Sequence, residues 1–316
     1  MQEASEKKKP KTVQERLAEK KQGAPAAETP TSNLTFLQRV RGYADAIVFA
    51  FMLAMFIRSY VFELFMIPTG SMTPTLIGDK EGFVSFSDYD GDSINDVIYS
   101  FPNANFLQIF LINQDRTTAK DMIYLDRPLP GIVASARKAS THRTDMIVVS
   151  KFAYWFRTPE RGDIAVFKVP DRPERGRPFD PQTPVFIKRV IGLPGEKVTM
   201  EPMEMTELAP GSESRYSDKW GGIEIHVKGR PVVVDGKPLN DPFFTRIVHF
   251  PQPHRIFPSP MDNPQTIPVG DDSVLMIGDN ATSSSDGRYW GDVPQDLLRG
   301  RALIRYYPFK SFGVLR

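Results

Sequence analysis

The chain has 316 residues, with 40 basic and 38 acidic side chains, 41% apolar and 11% aromatic residues, and no cysteine. The near-balance of charge argues against a dedicated nucleic-acid binder, and the apolar content argues against wholesale disorder. The absence of thiols excludes disulfides, thiolate metal sites and cysteine nucleophiles, and the 28 Pro and 22 Gly favour turns and short strands over a helical bundle.

Residues 1–41 begin as a polar stretch rich in Lys, Glu, Ala and Pro, and are predicted to be a disordered tail. The apolar run Ala46–Ile57 follows, and with its flanks it predicts a helix over 42–62, 21 residues and about 31 Å at the α-helical rise. That length spans a bilayer, with Arg58 able to extend to the headgroups. The alternatives are a buried helix of a soluble domain and a cleaved signal peptide. No small-residue cleavage site ends the run, which continues into Phe62-Glu63-Leu64-Phe65-Met66. Residues 1–41 hold nine Lys and Arg against five Glu, while the rest of the chain holds 31 basic and 33 acidic side chains. The positive-inside rule therefore predicts a cytoplasmic tail and places residues 63–316 outside the membrane.

Directly after the apolar helix comes Ile67-Pro68-Thr69-Gly70-Ser71-Met72-Thr73-Pro74, a constrained turn that either exposes one hydroxyl or is an ordinary Ser/Thr/Gly turn. Residues 80–144 read as irregular, with an acidic turn at Asp88, Asp90 and Asp92. Counted from Asp88, the sixth and twelfth positions of an EF-hand would be Ser93 and Tyr99, so that calcium pattern fails and no metal is expected. Beyond them lie strand candidates at 146–149, 163–169, 185–191, 224–227, 231–234, 273–277 and 303–307, with Asp235-Gly236 as a hairpin turn. The prediction is a mostly β protein: one N-terminal transmembrane helix, then an all-β body of curled antiparallel sheets. Residues 201–268 are expected to form a secondary β subdomain.

Lys188 sits within the apolar strand Phe186-Ile187-Lys188-Arg189-Val190-Ile191. It either faces solvent or is buried, and burial without a close carboxylate lowers an amine's pKa. A neutral amine is able to take a proton from a hydroxyl, which is how a Ser is activated where histidine is scarce. Only His142, His226, His249 and His254 are present, and they are widely scattered. By strand periodicity, Arg189 should point to the opposite face. A third polar segment, Gly278 to Gly291, carries Ser284, Asp286 and Arg288. It is either a solvent loop or a loop held by an Asp286–Arg288 pair.

Together these segments resemble bacterial signal peptidase I, the Ser-Lys leader peptidase family (S26). The resemblance rests on Pro68–Leu76, Arg161–Phe167, Ile187–Glu196 and Gly278–Gly291, in that order after an apolar anchor. It implies a signal-peptidase-like fold and a membrane-bound serine endopeptidase. Such an enzyme removes N-terminal signal peptides from secreted precursors, cutting after small residues with Ala at −1 and −3. Ser71 would be the nucleophile and Lys188 the general base. The Thr69 hydroxyl and Ser71 amide would form the oxyanion hole, Ser284 would position the amine, and Asp286 and Arg288 would be a structural ion pair. Phe65, Ile67, Pro68, Met72, Phe186 and Ile187 would bind substrate. No cofactor and no nucleic acid is implied. The partners are precursor proteins and the lipid bilayer, and the enzyme is expected to be a monomer in the bacterial cytoplasmic membrane. Ala281 and Gly287 depart from the family's usual residues, and residues 80–144 look like a family-atypical insertion. The rival readings are an inactive anchored scaffold and a self-cleaving repressor type of Ser-Lys hydrolase.

Overall fold

The computed structural model describes residues 35–78, 82–100, 106–114, 119–138, 140, 143–169, 185–200, 204–208, 221–228, 232–239, 265–280 and 283–315. The expected disordered tail lies outside the described residues up to residue 34. The chain divides into two units, residues 1–54 and 55–316.

The first unit is built on α1 (Phe36–Phe56), and the helical path continues through a π-helical turn, Ile57–Val61. Phe36–Val61 is, among the described residues, the one helix long and apolar enough to cross a membrane, with 26 residues. It begins six residues before the expected Gly42. The Thr35 amide donates to Gln38 Oε1 at 3.0 Å, half of a capping box, and Arg41 pairs with Asp45 one turn on. Those local bonds carry the helix back through Leu37 to Arg41, where nothing breaks it. Leu37, Tyr43, Ile47, Phe49, Phe51 and Met52 are all exposed, so no single face is buried against protein.

Among the described residues of the second unit every paired strand is antiparallel. The largest sheet has the order β1-β6-β17-β7-β8-β15-β16, with β18 on β17. These are β1 (Phe62–Met66), β6 (Met146–Ser150), β7 (Ile164–Phe167), β8 (Phe186–Gly192), β15 (Ser273–Ile277), β16 (Val293–Pro294), β17 (Leu298–Tyr307) and β18 (Gly313–Val314). Register shifts within β17 at Leu298/Gly300, Ala302/Ile304 and Arg305/Tyr307 curl the sheet, as the extra residue of a bulge does. A Cβ on Gly300 would collide with the Ser150 carbonyl oxygen, so glycine permits that close crossing.

A four-stranded sheet has the order β13-β12-β9-β14: β9 (Lys197–Met200), β12 (Val233–Val234), β13 (Lys237–Pro238) and β14 (Gln265–Pro268). The expected Asp235-Gly236 hairpin joins β12 to β13. Both turn residues have positive φ, 47° and 77°, as a type I′ turn requires.

Residues 80–144 are not irregular. They supply β2 (Phe83–Ser87), β3 (Asp96–Ser100), β4 (Phe106–Ile112), β5 (Ala119–Asp126) and helix α2 (Pro130–Lys138). These strands join β10 (Glu204–Leu208) and β11 (Ile223–Lys228) in a six-stranded sheet ordered β10-β11-β5-β4-β3-β2. One face buries Phe83, Ile98, Leu107, Ile109, Ile123 and Leu125 with α2, and the other buries Val84, Val97, Tyr99, Phe110 and Ile112. Burial on both faces erases the apolar/polar alternation by which a half-exposed strand is recognised, which is why the segment reads as patternless. The same pairing divides the stretch 201–268. β10 bonds to β11 and β11 to β5, whereas β12, β13 and β14 bond directly or through β12 to β9.

Candidate active site

The serine turn is pinned at both ends. The Ile67 amide donates to the Asp145 carbonyl at 2.9 Å, the Asp145 amide donates to the Ile77 carbonyl at 2.9 Å, and the Ile77 amide donates to Asp145 Oδ2 at 3.0 Å. Between these anchors, Gly70–Met72 forms a 3-10 turn closed by the Thr73 amide on the Gly70 carbonyl at 3.0 Å. Ser71 is buried, and its N–H lies in the first turn, where donors lack an intrahelical acceptor. Thr69 Oγ1 is 3.4 Å from Ser71 Oγ, a long contact.

Lys188 is the third residue of β8, opposite Ala165 of β7, and is 2% exposed. Its Nζ lies 2.8 Å from Ser71 Oγ and 3.0 Å from the Ile187 carbonyl, and 5.6 Å from the centre of the Phe186 ring. Burial drives the Lys188 ammonium down to about 8, while the Asp286 and Asp279 carboxylates hold it back and Arg288 pushes it further down. At pH 7 the neutral fraction thereby rises from about one in three thousand to about one in ten.

The expected ion pair is present and buried. Asp286 Oδ1 accepts from Arg288 Nε at 2.8 Å, and Oδ2 accepts from Arg288 Nη2 at 2.9 Å and from the Gly278 amide at 3.0 Å. Burial alone would raise the Asp286 pKa, but the charge and hydrogen bonds of Arg288 hold it below the usual carboxylate range. Asp286 also caps the short helix α3 (Gly287–Trp290) through the Arg288 amide. Ser284 is buried beside this pair, and its carbonyl accepts from Arg288 Nη2 at 3.3 Å. No hydrogen bond joins Ser284 Oγ to Lys188 Nζ. A Cβ on Gly278 would collide with Ser284 Oγ and with the Ser71 carbonyl, so glycine lets these segments close on each other.

The six pocket candidates divide. Ile67 and Met72 share a core cluster against which Phe65 and Ile187 pack. Phe186 belongs to a different cluster, edge-on to Trp290 at 5.4 Å, because neighbours on a strand point to opposite faces. Pro68 is exposed.

Sequence reasoning missed the second buried ion pair. Arg189 does point away from Lys188, but into the interior, where Nε and Nη2 reach Asp279 Oδ1 and Oδ2 at 2.8 and 2.6 Å. Thr75 Oγ1 adds a third bond to Asp279 Oδ2 at 2.5 Å, and Arg189 Nη1 donates to the Gly162 carbonyl at 2.8 Å. A second charged residue beside Lys188 in the otherwise apolar strand β8 and an Asp two residues past the apolar strand β15 were the available signals, since buried charges require partners. Gln108 and Asn280 were also missed; each is 1% exposed. For possible metal ligands, Asp88, Asp90 and Asp96 bring carboxylate oxygens within 4.8 Å of one another. Asp88 accepts the amides of Gly91, Asp92 and Ser93, and Asp96 those of Tyr89 and Ile112, so these side chains close the β2–β3 turn.

A buried lysine against a serine turn, flanked by two buried ion pairs, agrees with the family match. The family model for signal peptidase, peptidase S26, matches residues 40–126, 130–206 and 220–307. The chain belongs to this family. "Probable signal peptidase I-2" of Synechocystis sp. is 30% identical over 184 residues, 58% of this chain and 65% of that protein. Signal peptidase I of Leptolyngbya laminosa is 32% identical over 174 residues, 54% of this chain and 64% of that protein. Signal peptidase I of Pseudomonas aeruginosa is 32% identical over 212 residues, 58% of this chain and 62% of that protein. The chain thus spans slightly less than two thirds of the length of each of these relatives. The signal peptidase match runs through β2 to β5 to Asp126, so it takes in most of the stretch that reads as an insertion.

Proposed function

We propose that this chain is a single-pass, membrane-anchored serine endopeptidase that removes N-terminal signal peptides from secreted precursors. The observation that carries the reading is the 2.8 Å approach of Ser71 Oγ to the Nζ of a lysine that is 2% exposed.

Neutral Lys188 takes the Ser71 proton as Oγ bonds to the carbonyl carbon at the cleavage site. The oxyanion that develops is met by the Ser71 amide and the Thr69 hydroxyl. As the intermediate collapses, the C–N bond breaks and the Lys188 ammonium gives its proton to the departing amine, the new N-terminus of the mature protein. Lys188 then deprotonates a water that attacks the ester carbonyl. The Ser71 ester bond breaks, Ser71 regains its proton and the signal peptide leaves as a carboxylate. Asp286 and Arg288 hold the loop behind the dyad, and Ser284 is assigned the positioning of the amine by family resemblance alone.

The substrate is read as an extended strand. Among the described residues, β15 pairs with β8 only from Arg189 onward, and β1 ends its sheet, so Phe186–Lys188 and β1 each leave a main-chain edge for β-augmentation. Phe65, Ile67, Met72 and Ile187, already in one cluster, fit shallow pockets for small residues, chiefly Ala, at −1 and −3. The excess of Lys and Arg over Glu in residues 1–41 supports a cytoplasmic N-terminus and an outward-facing body in a bacterial inner membrane. The enzyme is proposed to act as a monomer on membrane-tethered precursors.

The test is cleavage of a purified precursor by the full chain, with N-terminal sequencing of the product. Ser71→Ala and Lys188→Ala should each reduce the rate at least about a thousandfold. A Ser71→Ala protein that cleaves at the wild-type rate would overturn the assignment.

A further inference from the structure

We propose that Gln108 is a positioning residue for Ser71, acting through Asn280, so that the six-stranded sheet forms part of the apparatus holding the nucleophile. The inference rests on the Ser-Lys peptidase reading above.

Asn280 grips the serine turn twice. Its backbone amide donates to the Ser71 carbonyl at 3.0 Å, and its Nδ2 donates to the Gly70 carbonyl at 3.1 Å. The same Nδ2 donates to Gln108 Oε1 at 3.3 Å. Two carbonyl oxygens facing one atom identify it as the NH2 end of the amide, and its two hydrogens are both engaged. Gln108 therefore fixes which way the Asn280 side chain is turned, and with it the grip on Gly70. Ser283 Oγ approaches Gln108 Oε1 at 3.5 Å from the same loop.

A second contact from the same sheet reaches the same turn. Tyr99 of β3 is the register partner of Gln108 in β4, so the two side chains share a face. A Cβ added to Gly70 would overlap the Tyr99 ring, which means the ring lies directly on the Gly70 backbone. The residue before the nucleophile is thus confined between an aromatic ring and a fixed amide. That fit sets where the Ser71 amide and hydroxyl point, and misplacement of about 1 Å at a reacting group lowers rates on the order of a hundredfold. The face that carries Tyr99 and Gln108 is turned toward the serine turn. Leu107, next to Gln108 on β4, packs into the opposite core with α2.

The experiment compares full-length wild type, Gln108→Leu, Leu107→Ala and Asn280→Ala, with Gln108→Leu also made in the Asn280→Ala background. A precursor peptide gives kcat and KM, and thermal unfolding gives Tm. Gln108→Leu should lower kcat about tenfold while KM stays within about twofold. Leu107→Ala should lower Tm and leave kcat unchanged at temperatures where the protein is folded. In the Asn280→Ala background, Gln108→Leu should change kcat by less than about twofold, because residues that act through one another are not additive. A wild-type kcat in Gln108→Leu, or a kcat loss that follows Tm equally in Leu107→Ala, would overturn the positioning role with the peptidase reading intact. A wild type inert toward the precursor, or an active Ser71→Ala, would remove that reading and this inference with it.

Discussion

Lys188 performs its proposed task because of where its Nζ is held. An exposed lysine at neutral pH is almost entirely ammonium and accepts no proton. Enclosure in β8, against Phe186 and Ser71, lowers its pKa to about 8 even though Asp286 and Asp279 act in the opposite direction. The sign of the pH dependence follows. The neutral amine is the working form, so kcat/KM should fall about tenfold for each pH unit below about 8 and level off above it. A profile of kcat/KM on a soluble peptide from pH 5 to 10 checks this, and a flat line between pH 5 and 9 would remove Lys188 as the base. At this scale the sequence was informative about Lys188 and incomplete about Arg189. Alternation along β8 correctly sent the two side chains to opposite faces. It carried no information that β8, lying between β7 and β15, is covered on both.

Among the elements, β8, β15 and the serine turn are joined by charge as well as by ladder bonds. Arg189 from β8 meets Asp279 two residues beyond β15, and Thr75 of the serine segment bonds to the same carboxylate. Asp279→Asn would remove the carboxylate that meets the buried Arg189 guanidinium with two hydrogen bonds. Breaking one side of such a pair costs about 3–5 kcal/mol, because the orphaned charge stays desolvated. Urea unfolding at pH 7 should show that loss; a change below about 1 kcal/mol would mean that water reaches Arg189. The strands of the main sheet were largely legible, since β6, β7, β8, β15 and β17 fall on their expected apolar runs. The six-stranded sheet was not, apart from β11, because strands buried on both faces lack a polar side to mark them. Gln108 in Phe106-Leu107-Gln108-Ile109-Phe110 was the one available clue, since a buried amide in an apolar strand requires partners.

At the scale of the whole molecule, the proposed substrate is held to a surface, and the body carries apolar groups suited to one. Trp155 and Phe156 are 68% and 81% exposed, and Phe309 and Phe312 are 80% and 64% exposed. Phe62, which opens β1 directly after the helical segment ends at Val61, contacts Phe152, and Phe152 contacts Phe156. Along β1 the outward residues Phe62, Leu64 and Met66 are also exposed, at the edge of the sheet. Aromatic side chains of this kind favour the boundary between headgroups and acyl chains. Replacing Trp155, Phe156, Phe309 and Phe312 together by Ser should slow cleavage of a vesicle-anchored precursor about tenfold and leave cleavage of a soluble peptide within about twofold. Equal loss on both substrates would assign these residues to folding.

The chemistry was written locally, and its assembly was not. The apolar anchor, the serine turn, a lysine among apolar neighbours and the Asp286–Arg288 spacing are each short-range patterns, and a short-range pattern is visible in a linear sequence. Tertiary structure decided that Ser71 and Lys188, 117 residues apart, stand 2.8 Å from each other, and that Asp279 neutralises Arg189 across 90 residues. It also decided that Gln108 and Tyr99 close on the nucleophile's turn. Those contacts depend on strand order and register, which are set by the summed burial of whole sheets and not by the residues that meet.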